Sequence, residues 1–471
     1  MLEQINFKSA KEVLQEVIPE VQKTNAWLER LQTSLLSKTE TRFFKAAADS
    51  GEMCETARKW LNRLPLKSER NEKQLQAGKL LVNAMAGLCW KFTRTHRSRI
   101  FAEARKSCKR PFRLEALAES AAELCPGVYP SLVELGAEQS LFLRDKDGLE
   151  LHQGMLFSQW FSDEEIGNIL IRDMRQPLPE SLDRVDELLK TNVLDLEYAR
   201  IEIYGEVATI FLKNANYLNA EDDSTLGATE TAVDLALLHP EVKVGVLRGE
   251  KVAHPKYAGR RIFSAGINLT KLYQGTQSYL FYLTRELGLV NKLFRGFCGP
   301  EWLGDELEHG KEIPWIAVVE GFAIGGGCQY LLVMDYVLAE SGSYLNLPAR
   351  KEGIIPGCAN LRLPRMVGDR IAYEAILFDR QFPVEAPESR MLVNEVCSSQ
   401  EIDHQLHLVL DRVTGSGLVS ASGNRKTLRS GAETIESFRN YMAQYAYEQA
   451  FCHLSSQLIK NLEFHWKARE R

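Results

Sequence analysis

Apolar residues recur at three-to-four spacing through residues 10–36, 39–64, 71–96 and 114–124 with few β-branched runs, a pattern that predicts helices. Breaks at Cys125-Pro126-Gly127 and Pro177-Leu178-Pro179 punctuate it, so residues 1–195 read as an all-helical N-terminal domain. Trp60, Trp90 and Trp160 lie in this region and read as core or interface aromatics. The period changes after Glu197: residues 198–212 alternate in two runs around Gly205, which predicts a β-hairpin. Beyond it the pattern predicts a helix over 229–238, a strand over 242–247, a helix over 280–297, a strand over 316–319, a helix opening at 329–333 and a strand over 336–339. Strand, turn and helix in repeated succession, without a G-x-G-x-x-G, predict an α/β core of stacked βα units over 196–370 and argue against a nucleotide-binding Rossmann domain. Residues 371–471 return to helical periodicity.

Composition narrows the function classes. The 471 residues are 45% hydrophobic with a net charge of −5, ample for sizeable cores and contrary to the dominant basic face that nucleic-acid binding needs. Nine dispersed cysteines without a C-x-x-C suggest neither a disulfide framework nor a zinc site, and fit a reducing compartment. The start, Met1-Leu2-Glu3-Gln4-Ile5-Asn6-Phe7, shows no secretory signal pattern. The apolar stretch 313–339 approaches membrane length, but Pro314, Glu320, three consecutive glycines and Asp335 interrupt it. A cytoplasmic protein without a membrane partner is expected.

The candidate chemistry lies in two glycine turns, Phe263-Ser264-Ala265-Gly266-Ile267-Asn268-Leu269 and Ile324-Gly325-Gly326-Gly327-Cys328-Gln329. Each follows a strand-like run and leads into a helix-like one, so each can aim backbone N–H groups at a common point, as an oxyanion hole requires. Other constellations fail. His404 and His407 beside Asp403 lack a third metal ligand nearby, and the chain has no G-x-S-x-G, H-E-x-x-H or P-loop.

Three separated motifs, Ser264-Ala265-Gly266-Ile267-Asn268-Leu269, Glu320-Gly321-Phe322-Ala323-Ile324-Gly325-Gly326-Gly327-Cys328 and Gly353-Ile354-Ile355-Pro356-Gly357, resemble the crotonase (enoyl-CoA hydratase/isomerase) superfamily in order and spacing over residues 197–462. His254-Pro255-Lys256-Tyr257-Ala258-Gly259-Arg260-Arg261, Arg285-Glu286-Leu287-Gly288 and the run 347–357, together with the helical N-terminal region, are similar to its branch of cofactor-independent dioxygenases. Those enzymes act on dihydroxyphenylacetyl-CoA-like thioesters in antibiotic biosynthesis.

The resemblance implies a ββα spiral core, with the helical C-terminal region 371–471 serving trimerisation and covering the CoA site, in a homo-oligomer that is a trimer or a dimer of trimers. It implies that Ile267 and Gly326 donate their amides to the thioester carbonyl. Hydratases of the family carry carboxylates where this chain has Gln329 and Ala349; a neutral amide and a methyl group do no acid–base work, although Glu352, three residues on, could restore one acid. Gln329 stays in the implied catalytic set. Contacts to the aryl end fall on Glu221, Arg285 and Ile355. CoA contacts fall on Ala215, on His254, Pro255, Lys256 and Tyr257, on Ala265, Gly266, Asn268, Leu269 and Thr270, and on Arg439. No metal or resident cofactor is implied: O₂ is co-substrate and CoA is part of the substrate. A CoA thioester hydrolase, decarboxylase or isomerase, and a non-catalytic acyl-CoA-binding assembly protein, remain alternatives.

Overall fold

The computed structural model describes residues 5–36, 41–298, 310–415 and 418–468. They form two compact units, one of residues 1–170, 270–280 and 442–471, the other of 171–269 and 281–441.

The first unit is helical. Pro19 divides the helix expected over 10–36 into Phe7–Val17 and Val21–Leu36, because Ile18 before it is extended at φ −109° and ψ 116°, as a residue preceding proline prefers. These helices pack with Phe43–Leu61 and Glu72–Ala104 around Leu14, Trp27, Leu31, Trp60, Leu81 and Met85. Trp27 and Trp60 meet edge to face at 5.4 Å, and the Trp27 indole donates to the Met53 carbonyl, which satisfies its buried polar end. Asn71 and Gln74 form a reciprocal capping box that starts the long helix. Trp160 is fully buried, whereas Trp90 is half-buried against Tyr447.

The second unit is a mixed α/β fold, a β core flanked by helices. Strands β1 (Val193–Asp195), β2 (Ala199–Tyr204), β3 (Val207–Leu212), β4 (Val244–Gly249), β5 (Trp315–Val319), β7 (Tyr336–Glu340) and β10 (Glu395–Cys397) make one sheet in the order β1-β2-β3-β4-β5-β7-β10. The β1-β2-β3 pairs are antiparallel and the rest parallel. Every residue of β4 and β5 is buried, as expected of central parallel strands covered on both faces. Ile402, Leu406 and Val409 of the helix Ile402–Thr414 pack on Val244, Val246, Ile316, Val318 and Leu338. Gly245 pairs with Trp315 across β4 and β5, and a Cβ there would lie 2.3 Å from the indole, so the large ring fits only against glycine.

A second sheet joins β6 (Phe322–Ile324), β8 (Tyr344–Asn346) and β9 (Gln381–Pro383) in the order β6-β8-β9. Residues 371–470 are therefore not helical throughout: β9, β10 and a 3₁₀ turn, Pro387–Met391, interrupt them. The segment expected as one helix over 280–297 contains a wide π-helical turn, Arg285–Val290. The helix expected to open at 329 starts at Gly326, immediately after the left-handed Gly325.

Candidate functional site

The first glycine turn is added to the small sheet. Ser264 N–H donates to the Phe322 carbonyl at 3.3 Å and the Ser264 carbonyl accepts from Ile324 N–H at 3.0 Å. Gly266 follows at φ +80°, a conformation that favours glycine. Glu221 then bridges the turn in parallel: its N–H donates to the Gly266 carbonyl and its carbonyl accepts from Asn268 N–H, both at 2.7 Å. With the peptides on either side of Ile267 turned to Glu221, the N–H of Ile267 itself points the other way.

The second turn is pinned by Gly325 N–H donating to the Asn346 carbonyl at 2.8 Å, with Gly325 at φ +51°. Gly326 opens the helix Gly326–Leu331, so its N–H is one of those without an intrahelical acceptor. The turns meet backbone to backbone, because a Cβ on Gly266 would lie 2.9 Å from the Gly326 nitrogen and 2.5 Å from the Ile324 oxygen. Neither Ile267 N–H nor Gly326 N–H has an acceptor among the described residues. Two such donors on touching turns suit an oxygen that gains negative charge.

Behind the second turn lies a buried charge network. The Arg285 side chain donates through Nε to both oxygens of Glu221 at 3.1 Å, through Nη1 to Glu286 Oε1 at 2.7 Å and Gln329 Oε1 at 2.9 Å, and through Nη2 to the Gly326 carbonyl at 2.8 Å. Its guanidinium also stands 4.5 Å over the Tyr330 ring, and the Tyr330 hydroxyl donates to Glu221. Burial disfavours the charge on Arg285, but Glu221, Tyr330 and Glu286 more than reverse this and raise its pKa. Burial, reinforced by Glu221, lifts the Tyr330 phenol well above its ordinary range. The network leaves no room for a side chain at two glycines: a Cβ on Gly326 would lie 2.4 Å from Glu221 Oε2, and one on Gly357 2.6 Å from Glu286 Oε1 and 2.8 Å from Gln329 Oε1. Further from the turns, Arg362 stands 3.8 Å from Glu286, and Glu433 collects Arg295, Arg362 and Arg365 at 3.1 to 3.2 Å.

The structure thus brings Glu221, Arg285, Gln329, Gly326 and Ile267 together. Beside Glu221, Asp222 caps the helix Asp223–Leu238, and its other oxygen accepts from Asn268 Nδ2 at 2.8 Å. Ala349 is buried and offers only a methyl group. Glu352 ends the short helix Ala349–Glu352: its N–H donates to the Pro348 carbonyl at 2.9 Å, while its carboxyl has no hydrogen bond or ion pair among the described residues. Burial and the nearby charge of Asp379 push its carboxyl up to about 8, although the side chain keeps partial exposure. Ile355 is half-buried and its carbonyl accepts from Gly357 N–H at 2.9 Å.

Among the other candidates, Pro255 and Lys256 are exposed and His254 and Tyr257 half-buried on a loop tied back by Ala253 N–H to the Ala215 carbonyl at 3.0 Å. Lys256 lies 5.0 Å over the Tyr257 ring, whereas Arg260 and Arg261 pair with Glu340 and Glu250. Ala265, Leu269 and Thr270 are half-buried, with Leu269 and Thr270 opening the helix Leu269–Tyr273. Arg439 is buried in the helix Ile435–His453. Asp403 pairs with Arg248, and His407 bonds the Asp403 carbonyl. Among the described residues no group of three or more His, Cys, Asp or Glu is arranged to hold a metal ion.

The sequence reading has Glu286 and Gly357 as motif positions only and assigns neither of them, nor Tyr330, to the site. Glu286 looks like half of an exposed neighbour pair with Arg285, and only the π-helical turn, which periodicity does not reveal, carries both inward.

A layered α/β core that presents two amide donors on adjoining glycine turns is the crotonase type of fold. The chain belongs to the enoyl-CoA hydratase/isomerase (crotonase) superfamily, being 38% identical over 392 residues, 83% of its length and 89% of the relative's, to the (3,5-dihydroxyphenyl)acetyl-CoA 1,2-dioxygenase of Amycolatopsis orientalis. The family model described as enoyl-CoA hydratase/isomerase matches residues 302–457. A crotonyl-CoA hydratase of Syntrophomonas wolfei is 26% identical over 236 residues, 50% of this chain and 82% of that protein. Among solved structures, an enoyl-CoA hydratase from Bacillus halodurans aligns over 57% of this chain and 99% of its own at 20% identity, with a TM-score of 0.48.

Proposed function

We propose that the protein is a dioxygenase that converts an aryl-acetyl-CoA thioester and O₂ to an aryl-glyoxylate and free CoA, without metal or flavin. One observation carries the reading: both amide donors remain on touching turns, while the two hydratase acid positions hold Gln329 and Ala349. Such a site stabilises an enolate but has no carboxylate at those positions to direct water. The 38% identical relative, named as a (3,5-dihydroxyphenyl)acetyl-CoA dioxygenase, supports oxygen as the partner.

In this reading the α-proton leaves while Ile267 and Gly326 hold the thioester oxygen, worth about 10²–10³ in rate per fixed donor. The carbanion pair forms a C–O bond to O₂, giving an α-peroxide. Its terminal oxygen attacks the thioester carbonyl and expels CoA thiolate. Loss of the second α-hydrogen as a proton then cleaves the O–O bond, leaving a keto group and a carboxylate that each keep one oxygen of O₂. His254, Lys256 and their loop hold the CoA nucleotide by charge-assisted hydrogen bonds, and Glu221, Arg285 and Ile355 border the aryl end. Assay of chelator-treated protein with (3,5-dihydroxyphenyl)acetyl-CoA under air and under argon tests this. CoA release is expected only under air; equal release under argon, or a strict need for added iron, contradicts it.

A further inference from the structure

The two faces of the Gln329 amide are not equivalent. Arginine carries donors only, so the Gln329 oxygen, 2.9 Å from Arg285 Nη1, is fixed as the group turned inward. The NH₂ end must then point away from Arg285, and it has no acceptor among the described residues, on a side chain that is half-buried and not sealed. Charge crowding explains why the residue is neutral. The same Nη1 serves Glu286 Oε1 at 2.7 Å, and Nε and Nη2 serve Glu221. A third carboxylate at position 329 would compete for one guanidinium already shared by two, at a site where like charges are costly.

We infer that Gln329 is a third hydrogen-bond donor of the site: its NH₂, aimed by Arg285, stabilises the negative charge that develops on O₂ as the α-carbon of the bound thioester forms its bond to oxygen. This rests on the reading proposed above. In the step concerned, the carbanion's electron pair becomes the C–O bond and O₂ accepts those two electrons as the peroxide anion. The amide gives up no proton. The residue that hydratases use as an acid thereby becomes a donor selective for an anionic oxygen product, and Arg285 and Glu286 are positioning residues that fix its polarity.

The test separates two rates, anaerobic exchange of the α-hydrogen in deuterated water and oxygen uptake, with (3,5-dihydroxyphenyl)acetyl-CoA as probe. Gln329→Met keeps the volume and removes the donor, so the ratio of uptake to exchange is expected to fall by at least about tenfold and at most by the roughly 10²–10³ of one fixed donor. In Gln329→Glu only the protonated carboxyl donates, so the ratio is expected to recover as pH falls; Arg285 opposes that protonation and Glu286 and Glu221 favour it, while burial raises the Tyr330 phenol and the Cys358 thiol beside Glu286 well above their ordinary range and keeps both neutral. An unchanged ratio in Gln329→Met, or equal loss of both rates, overturns the inference while leaving oxygenation by the wild type intact. A wild-type protein that exchanges its substrate but takes up no oxygen contradicts the reading of function itself, and this inference with it.

Discussion

Glu221 serves both turns at once. Its main chain brackets Ile267 through Gly266 and Asn268, and its side chain holds Arg285, which in turn holds the Gly326 carbonyl. Gly326→Ala would push a methyl group to 2.4 Å from the Glu221 carboxylate, in a pocket where that carboxylate is already paired and buried. Anaerobic α-hydrogen exchange is expected to fall by about 10²–10³, with unchanged helical content by circular dichroism. Glu352 supplies a pH signature. Its folded pKa of about 8 exceeds the ordinary 4.5, so the folded state binds this proton more tightly. The stability contributed by protonation is full below about 4.5 and is lost as pH rises through about 8. Glu352→Gln is expected to flatten that loss, so that thermal melts of wild type and variant diverge between about pH 5 and 8; parallel melts across this window contradict it. The glycine turns were legible because glycine at a left-handed position leaves a local trace. The resemblance put Glu221 and Arg285 at the same end of the substrate, but their direct ion pair was not legible, because 64 positions separate them and periodicity offers only an acidic loop and a basic helix.

At the scale of elements, the segment carrying Arg285 is fixed from several directions. Lys292 is buried with Glu230 at 2.9 Å and Asp234 at 2.6 Å. Arg425 and Arg429 of the helix Leu418–Ala432 donate to the Phe294 carbonyl at 2.9 Å, where cations favour a helix C-terminus. Glu433 holds Arg295 and Arg362. Burial alone would raise the Glu433 pKa, yet the arginines lower it to about 2. Glu433→Gln leaves two buried guanidinium groups without their shared carboxylate and is expected to cost about 3–5 kcal/mol, measured by denaturant unfolding. A loss within about 0.5 kcal/mol, the range of an ordinary surface substitution, would show that the cluster does not hold the segment. Long elements were legible by period, and the helix Leu114–Leu124 falls where expected. Strands β6, β8, β9 and β10 have three residues each, too few to show an alternation. Their positions come from pairing alone.

For the whole molecule, the resemblance carried the fold class further than periodicity could, because three spaced motifs constrain a topology that no single element specifies. Among the described residues no helix is long and apolar enough to cross a membrane. We expect light scattering to give the mass of three or six 53.4 kDa chains; a monomer at micromolar concentration would contradict the proposed assembly. The central claim is that oxygen, and not water, consumes the enolate formed between the two glycine turns. Turnover of (3,5-dihydroxyphenyl)acetyl-CoA under ¹⁸O₂ tests it most directly. The account predicts an aryl-glyoxylate carrying both labelled atoms, one in the keto group and one in the carboxylate, with one CoA released per product. CoA release with an unlabelled acid whose new oxygen comes from solvent would contradict it and identify the protein as a thioester hydrolase.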